Sequence, residues 1–328
     1  MKLATKFRSA GWLLGAVSLL FCACDEEADE ATSRPKPPDA GEISDASDAH
    51  APAEISEEFL APAGDGFQTL VVGSWEVPAA SELYYCVRFT LPQDLTIGAF
   101  RSLSPLGTHH TLITVADDAF APDGAFECDA LTGGIHSVTA AGVGSNDVEM
   151  PEGIGMELKT GQQLVLNLHL VNPNDTPLRG QSGILMRLMA ADTVEHRAES
   201  LMAGTIKLEL PAKETTTQRG TCTMAGETTL FAVVPHMHAL GVHLKVVAHS
   251  SVMGDVVLTD RPYEFGSQLT YPLDERVPMK KGDKVDVDCT FANPNDHMVK
   301  FGNGSADEMC YAGLYRYPAL GDIYVCIQ

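Results

Sequence analysis

One segment of the chain occurs twice in altered form. Residues 158–175, LKTGQQLVLNLHLVNPND, align without a gap with residues 279–296, MKKGDKVDVDCTFANPND. Each copy begins with a Lys-x-Gly turn, continues as an alternating strand and ends in Asn-Pro-Asn-Asp. The apolar positions also correspond, with Leu164, Leu166, Leu168 and Leu170 at the places of Val285, Val287, Cys289 and Phe291. A repeat of this length predicts two copies of one domain in tandem.

Alternating apolar runs such as TIKLEL, HLKVVAH and KVDVDCTF dominate the chain after residue 60, and turn residues separate them. A period of two residues is typical of strands with one buried face, and helical periodicity is almost absent. The sequence therefore predicts an all-β protein built from two tandem antiparallel β-sandwich domains. We place the first domain at residues 59–194 and the second at residues 195–328.

The first 24 residues have the pattern of an export signal. Lys2, Lys6 and Arg8 precede the apolar run GWLLGAVSLLFCAC, which is too short to span a bilayer. FCAC resembles a bacterial lipobox, and Cys24 is the predicted lipidated residue, with plain secretion as the alternative. Residues 25–58 are acidic and rich in Ala, Ser and Pro, which predicts a disordered tether. We therefore expect an extracytoplasmic protein, periplasmic or on the cell surface, that meets a membrane only through this lipid.

The chain is strongly acidic, with a formal net charge of −22. Such a charge argues against binding to nucleic acid and to anionic lipid. We expect a small-molecule or cationic partner instead.

Two of the eight cysteines, Cys22 and Cys24, lie in the export segment. The others are an even set, which in an exported chain predicts a disulfide framework: Cys86, Cys128, Cys222, Cys289, Cys310 and Cys326. No Cys-x-x-Cys occurs, which argues against a zinc site made of thiolates.

Three histidines of the first copy are candidate metal ligands. His109 and His110 are adjacent, so both can bind one ion only if their strand is bulged or just beginning there. His169 lies on the face of the repeated strand opposite the leucines, and the second copy has Thr290 at that position. Three imidazoles are a donor set that suits copper or zinc.

A second candidate set lies in the second copy. His236 and His238 stand two residues apart in PHMH, so on a strand both imidazoles point to the same side. Met309 precedes Cys310 in a glycine-rich stretch without strand alternation, and Cys310 could pair with Cys289 to hold it in place. A thioether favours Cu(I), although most methionines simply fill gaps in a core.

The remaining histidines are assigned to solvent. His50 lies in the predicted tether, and His243 occupies an outward strand position. Four more stand alone in loops or at strand ends: His136, His196, His249 and His297.

The ordered set of His-His, a lone His, His-x-His and Glu-Met-Cys followed by Tyr-x-Tyr-Pro resembles the copper type II, ascorbate-dependent monooxygenases. This is the family of dopamine beta-hydroxylase and peptidylglycine alpha-hydroxylating monooxygenase. The resemblance implies two jelly-roll sandwiches that each hold one copper on facing surfaces of a solvent-filled cleft. It assigns His109, His110 and His169 to an electron-transferring copper. His236, His238 and Met309 would hold a catalytic, oxygen-activating copper.

The resemblance also implies the disulfide pairs Cys86–Cys128, Cys222–Cys326 and Cys289–Cys310. The implied activity is hydroxylation of a C–H bond with O2 and a one-electron donor such as ascorbate. In the peptide-amidating branch, an Arg, an Asn and a Tyr grip the substrate carboxylate. Those places hold Val234, Tyr311 and Gly313 here, so a glycine-extended peptide is a poor candidate.

We therefore expect an enzyme acting on a small molecule, an amine or a phenethyl compound. A copper-binding lipoprotein without catalysis is the alternative, and an adhesive sandwich with incidental histidines is the third.

Overall fold

The computed structural model describes residues 58–130, 132–142, 144–304, 306–321 and 325–327. The strands of the first half are β1 (Pro62–Gly64), β2 (Phe67–Val77), β3 (Ser81–Thr90), β4 (Leu95–Leu103), β5 (Thr108–Ala116), β6 (Gly124–Glu127), β7 (His136–Gly142), β8 (Val148–Glu149), β9 (Ile154–Leu158), β10 (Gln163–Asn172) and β11 (Leu178–Leu188). A 3-10 helix follows at Ala191–Thr193. The strands of the second half are β12 (His196–Arg197), β13 (Glu199–Thr205), β14 (Glu209–Leu210), β15 (Thr215–Thr223), β16 (Thr228–His236), β17 (Gly241–Ser250), β18 (Gly254–Pro262), β19 (Tyr271–Met279), β20 (Lys284–Ala292), β21 (Val299–Lys300), β22 (Cys310–Tyr317) and β23 (Val325–Ile327).

The predicted all-β sandwich fold is confirmed. In the first half, a seven-stranded sheet in the order β1-β2-β11-β4-β9-β12, with β8 on β4 and with β12 supplied by the second half, packs against the strands β7-β5-β10-β3-β6. In the second half, a four-stranded sheet in the order β15-β20-β17-β18 packs against β19-β16-β22-β13. Each pair of layers encloses an apolar core of its own, which is the arrangement that alternating strands require.

The two halves share one sheet. β7 of the first half and β13 of the second are neighbours in a ten-stranded sheet, joined by the pair Ser137 and Ser200. The hydroxyl of Ser200 donates a hydrogen bond to that of Ser137, with 2.5 Å between the oxygens. All described residues belong to one compact unit. The proposed domain boundary between residues 194 and 195 stays a prediction. Phe231 and Tyr315 of the second half pack into the core of the first half.

The internal duplication is visible in hydrogen bonds as well as in sequence. Asn172 and Asn293, the first residues of the two Asn-Pro-Asn-Asp segments, make matching sets of bonds. The side-chain amide of Asn172 donates to the carbonyl oxygens of Val77, Pro78 and Thr176, and that of Asn293 donates to those of Leu210, Pro211 and His297. Each side-chain oxygen accepts the backbone N–H two residues on. The segment recurs because its asparagine anchors the end of a core strand in each half.

The turn that opens each copy is repeated too. Gly161 and Gly282 have φ of 85° and 91°, a left-handed conformation that favours glycine. Their N–H groups donate to the carbonyls of Leu91 and Met224 in the two halves. The strand that follows the turn then enters the core, and the eight apolar positions named above for the repeat have no exposed area.

Three disulfides join the cysteines as the resemblance implied: Cys86–Cys128, Cys222–Cys326 and Cys289–Cys310. Disulfides persist in oxidising compartments, so these bonds indicate an extracytoplasmic location. The predicted export signal, the predicted lipidation site Cys24 and most of the predicted tether lie outside the described residues. Within the described part of the chain, no helix has the length and apolar character needed to cross a membrane.

Truncation of Leu166 tests the first core, because this side chain on β10 has no exposed area. We expect Leu166→Ala to lower the free energy of unfolding by about 2–5 kcal/mol, measured by chemical denaturation. Leu106 is 75% exposed, and Leu106→Ala should change the same quantity by less than about 0.5 kcal/mol. Equal effects of the two variants would contradict the assigned core.

Candidate metal centre

Three of the predicted ligands lie on two adjacent strands. His109 and His110 occupy β5, and His169 on β10 lies directly opposite His110. The register then shifts, so that Leu170 lies opposite Thr108 and His109 has no paired residue on β10. A bulge of this kind lets adjacent side chains turn to one side. The bulge that His109 and His110 need in order to bind one ion is therefore present.

The ring nitrogens of these three histidines converge. Nδ1 of His109 lies 3.2 Å from Nδ1 of His110 and 3.1 Å from Nδ1 of His169. Nitrogen ligands about 2.0–2.1 Å from one tetrahedral ion are separated by roughly 3.3 Å, so the spacing fits a common ion. His109 and His169 are buried, and the ligand atoms of all three lie within 4.8 Å of one another.

The second histidine pair adjoins the first set. His236 is the last residue of β16, so His238 lies beyond the strand, and the prediction that both sit on one strand is wrong. Their ring centroids are 5.6 Å apart with planes at 89°. The centroid of His236 lies 5.7 Å from that of His110, and that of His238 lies 6.5 Å from that of His109. The five imidazoles thus form one cluster.

Hydrogen bonds set the tautomers of the second pair. Nδ1 of His238 donates to the carbonyl oxygen of Asp307 at 3.0 Å, and Nδ1 of His236 donates to Oε1 of Gln268 at 2.9 Å. In both rings Nε2 then carries the lone pair. Nε2 of His238 is buried and has no hydrogen-bond partner among the described residues, an arrangement that a metal ion would satisfy.

Glu308 holds the backbone around the second set in place. This carboxylate has no exposed area. Its Oε2 accepts the backbone N–H of His238 at 2.9 Å and that of Met309 at 3.3 Å, and its Oε1 accepts the N–H of Leu240 at 2.6 Å. Burial raises the pKa of Glu308 to about 7, against the lowering effect of these three N–H groups. One side chain therefore links the segment after β16 to the predicted methionine ligand.

Met309 lies between Glu308 and the disulfide-bonded Cys310, and its side chain is buried. Together with His110 and His236, it lines a cavity of about 290 Å³. The disulfide to Cys289 ties the start of β22 to β20, as expected for a device that positions the methionine. The structure therefore brings all six predicted ligands to one region of the fold.

The first set is braced from outside the cluster. Nε2 of His169 donates to the Glu82 carboxylate at 3.3 Å, which leaves Nδ1 for a metal. The Tyr84 ring stacks on His169 at 4.4 Å between centroids, with planes 3° apart. Its hydroxyl donates to the carbonyl oxygen of Asn303 at 2.6 Å, in the loop that leads to Met309. Tyr84 thus connects the first ligand set to the loop of the second.

The cluster is electrically neutral in the metal-free protein. Burial lowers the pKa of His109 to about 3 and that of His236 to about 4, and neighbouring imidazoles contribute to both. Burial is also the main cause that lowers the pKa of His110, His169 and His238. Neutral imidazoles offer lone pairs, which is the state that metal ligation needs.

Thr290, which replaces His169 in the second copy, lies away from the cluster. Its hydroxyl makes a 2.9 Å hydrogen bond with that of Thr217 on the exposed side of the four-stranded sheet. The two ligand sets therefore come from unlike places of the repeat. The second half does not contain a weakened copy of the first site.

The histidines assigned to solvent lie outside the cluster. His136, His243 and His249 pair with carboxylates, and His196 stacks on Tyr317. His297 is exposed. His50 lies outside the described residues.

Several residues that shape the site were missed from the sequence: Glu82, Tyr84, Gln268, Asp307 and Glu308. The signal available for Glu308 was its place beside Met309 in Glu-Met-Cys. The others lie far along the chain from the ligands they support, and no local pattern distinguishes them.

Copper fits the donors that are present. Imidazole binds several transition metals, whereas a thioether selects Cu(I). The buried lone pair of His238 and the apolar surroundings of Met309 are consistent with that ion.

Replacement of Glu308 tests its role in positioning the second set. In Glu308→Gln the amide nitrogen would face a backbone N–H, so one buried donor loses its acceptor. We expect the free energy of unfolding to fall by about 1–3 kcal/mol. We also expect copper affinity to weaken at the methionine set alone, as followed by copper titration with electron paramagnetic resonance.

Glu76→Gln is the matched control, because it removes an ion pair to the mostly exposed Arg179. It should change stability by less than about 1 kcal/mol and leave copper binding intact. Unchanged copper binding in Glu308→Gln would show that the carboxylate does not position these ligands.

The C-terminal region of the chain matches a known family. Residues 197–328 match the model described as copper type II ascorbate-dependent monooxygenase, C-terminal domain. A human protein named "Putative DBH-like monooxygenase protein 2" is 24% identical over 231 residues, which cover 65% of this chain and 45% of that protein. A mouse protein named "DBH-like monooxygenase protein 2" is 22% identical over 293 residues, which cover 79% of this chain and 47% of that protein. The chain thus spans less than half the length of these relatives.

The similarity to solved structures is too low to indicate a function. Dimeric latent PorU from Porphyromonas gingivalis has a TM-score of 0.20 and 9% identity, over 74% of this chain and 25% of that chain. The order of the six predicted ligands along the chain and the sequence matches both indicate the same family. The C-terminal region of the chain is thus similar to the copper type II ascorbate-dependent monooxygenase family, the family that the order of the predicted ligands resembles.

Proposed function

We propose that this protein is a dicopper monooxygenase that hydroxylates a C–H bond of a small organic molecule, with O2 and a one-electron reductant such as ascorbate. The observation that carries the proposal is the presence of two unlike donor sets beside one cavity. His109, His110 and His169 offer three imidazoles. His236 and Met309 line the cavity, with His238 next to them.

The difference in donors supports different roles for the two ligand sets. Copper bound at these sets would supply one-electron transfer and O2 activation. Three imidazoles can hold a metal that only passes electrons. A weak sulfur donor suits the site that must alternate between Cu(I), which sulfur favours, and Cu(II), which imidazole favours. A protein that only binds copper has no need for two differently ligated sites.

The overall reaction balances with the proposed reductant. The C–H bond of the substrate is replaced by a C–O bond, and one atom of O2 becomes the hydroxyl oxygen. The other oxygen atom leaves as water, which takes up two protons and two electrons. Two molecules of a one-electron donor supply those electrons.

The protein's own residues prepare the site for this chemistry. Gln268 and the carbonyl of Asp307 hold the Nδ1 protons of His236 and His238, so that both Nε2 atoms remain available. Glu308 keeps the backbone of His238 and Met309 together. The apolar wall beside Met309 would disfavour water at the place where a C–H bond would react.

Export and anchoring belong to the same proposal. The lipid at Cys24 would hold the catalytic region outside the cytoplasm, where its disulfides persist. The chain would then meet its substrate in the envelope or in the medium.

Removal of the thioether is the sharpest test. We expect Met309→Ala to lose product formation over a panel of small organic substrates supplied with O2 and ascorbate. Copper at His109, His110 and His169 should remain, as seen by copper analysis and electron paramagnetic resonance. The physical reason is that only the methionine set loses a donor.

Met253→Ala is the control, because Met253 lies partly exposed in the turn between β17 and β18. It should keep both coppers and full activity. Loss of both coppers in Met309→Ala would show that the sets are wrongly assigned. Full copper loading of the unaltered protein without product from any substrate would leave the copper-binding lipoprotein as the function.

A further inference from the structure

The cavity beside the second ligand set lies at the seam between the two halves. β7 and β13, the neighbouring strands at that seam, contribute Ser137, Ala140, Ser200 and Met202 to its wall. β16, β22 and β23 complete the wall from the second half. A concave site at such a junction is a common location for ligands. The cavity is therefore placed to hold a molecule within reach of His236 and Met309.

The wall is apolar and uncharged among the residues that the structure describes. Its apolar members include Leu112, Leu201, Ile206, Phe301 and Val325. No Asp, Glu, Lys or Arg lines it within the described ranges. A charged group placed there would lose its hydration without gaining an ionic partner, which is costly.

Most polar side chains on the wall bond to the protein itself, and the buried hydroxyl of Thr111 has no hydrogen-bond partner among the described residues. Ser200 donates to Ser137 at 2.5 Å, and the hydroxyl of Tyr315 lies 2.8 Å from that of Thr139. Oε1 of Gln268 accepts from His236 at 2.9 Å. A ligand would therefore be recognised by shape and apolar contact more than by hydrogen bonds.

We propose that the substrate is an uncharged, mainly hydrocarbon molecule of about 10–15 non-hydrogen atoms that binds in this cavity. The volume of about 290 Å³ is roughly twice that of a cavity that holds benzene. This inference rests on the proposed monooxygenase function. It departs from the amine that the acidic composition suggested, because the wall offers no carboxylate among the described residues.

The test uses a pair of compounds with the same number of non-hydrogen atoms. Butylbenzene and 3-phenylpropylammonium differ by one terminal methyl in place of an ammonium group. Binding to the copper-loaded, oxidised protein is measured by isothermal titration calorimetry. We expect butylbenzene to bind at least about tenfold more tightly. Equal or tighter binding of the ammonium compound would overturn the inference.

A variant that fills the cavity tests whether butylbenzene binds there. The three atoms nearest to a Cβ added at Gly313 all belong to Val234, at 3.3 Å or more, and Gly313 lines the cavity, so a larger side chain there would extend into it. Gly313→Leu should weaken butylbenzene binding by at least about tenfold. If this variant does not fold by circular dichroism, Met202→Trp fills the same cavity from β13. Val257→Leu, on an exposed position of β18, is the control and should bind butylbenzene as the unaltered protein does.

Unchanged butylbenzene binding in the folded filling variant would overturn the assignment of the cavity. The two proposals fail separately. Tight butylbenzene binding without hydroxylated product from any compound would refute the monooxygenase function and leave the cavity assignment standing. Hydroxylation of the ammonium compound, with butylbenzene unbound, would keep the monooxygenase function and overturn the uncharged substrate.

Discussion

The seam between β7 and β13 is the contact on which the site depends. The Ser137 and Ser200 pair makes one continuous sheet from two sandwiches with separate cores. Because the sheet continues, β5 of the first half and β16 of the second carry their histidines to the same region. A change in the relative position of the halves would separate the two ligand sets, so the geometry of the site is a property of the whole fold.

Much of the fold could be predicted from the sequence because its cause is local. Strand alternation and the Lys-x-Gly turn act within a few residues, and they predicted the all-β sandwich and the repeat. The same holds for the ligands, since His109 and His110 are adjacent and His236 and His238 are two residues apart. His169 and Met309 lie far along the chain from those pairs. The repeat and the Met-Cys stretch made them candidates, and the resemblance to a family assigned them to the two sets.

The support of the site could not be predicted, because it depends on contacts between distant residues. Glu308 accepts hydrogen bonds from His238 and Leu240, and Tyr84 reaches Asn303 in the other half. A buried carboxylate has no signature in hydrophobic periodicity. The position of His238 was mistaken for the same reason, since the strand ends at His236 and Glu308 sets the path beyond it. Local patterns predict strands, whereas burial is decided by packing.

The acidic surface and the neutral site are separate features of the molecule. Water and salt screen exposed carboxylates beyond about 8–10 Å, so a net charge of −22 does not determine the potential inside a buried cavity. Two carboxylates do reach the ligands: Glu82 at His169, and Glu308 at the backbone of His238 and Met309. One acidic side chain thus contacts each ligand set on the side away from the cavity. Both acids lie on the protein side of the ligands, so any negative charge that they carry lies there and leaves the cavity side uncharged.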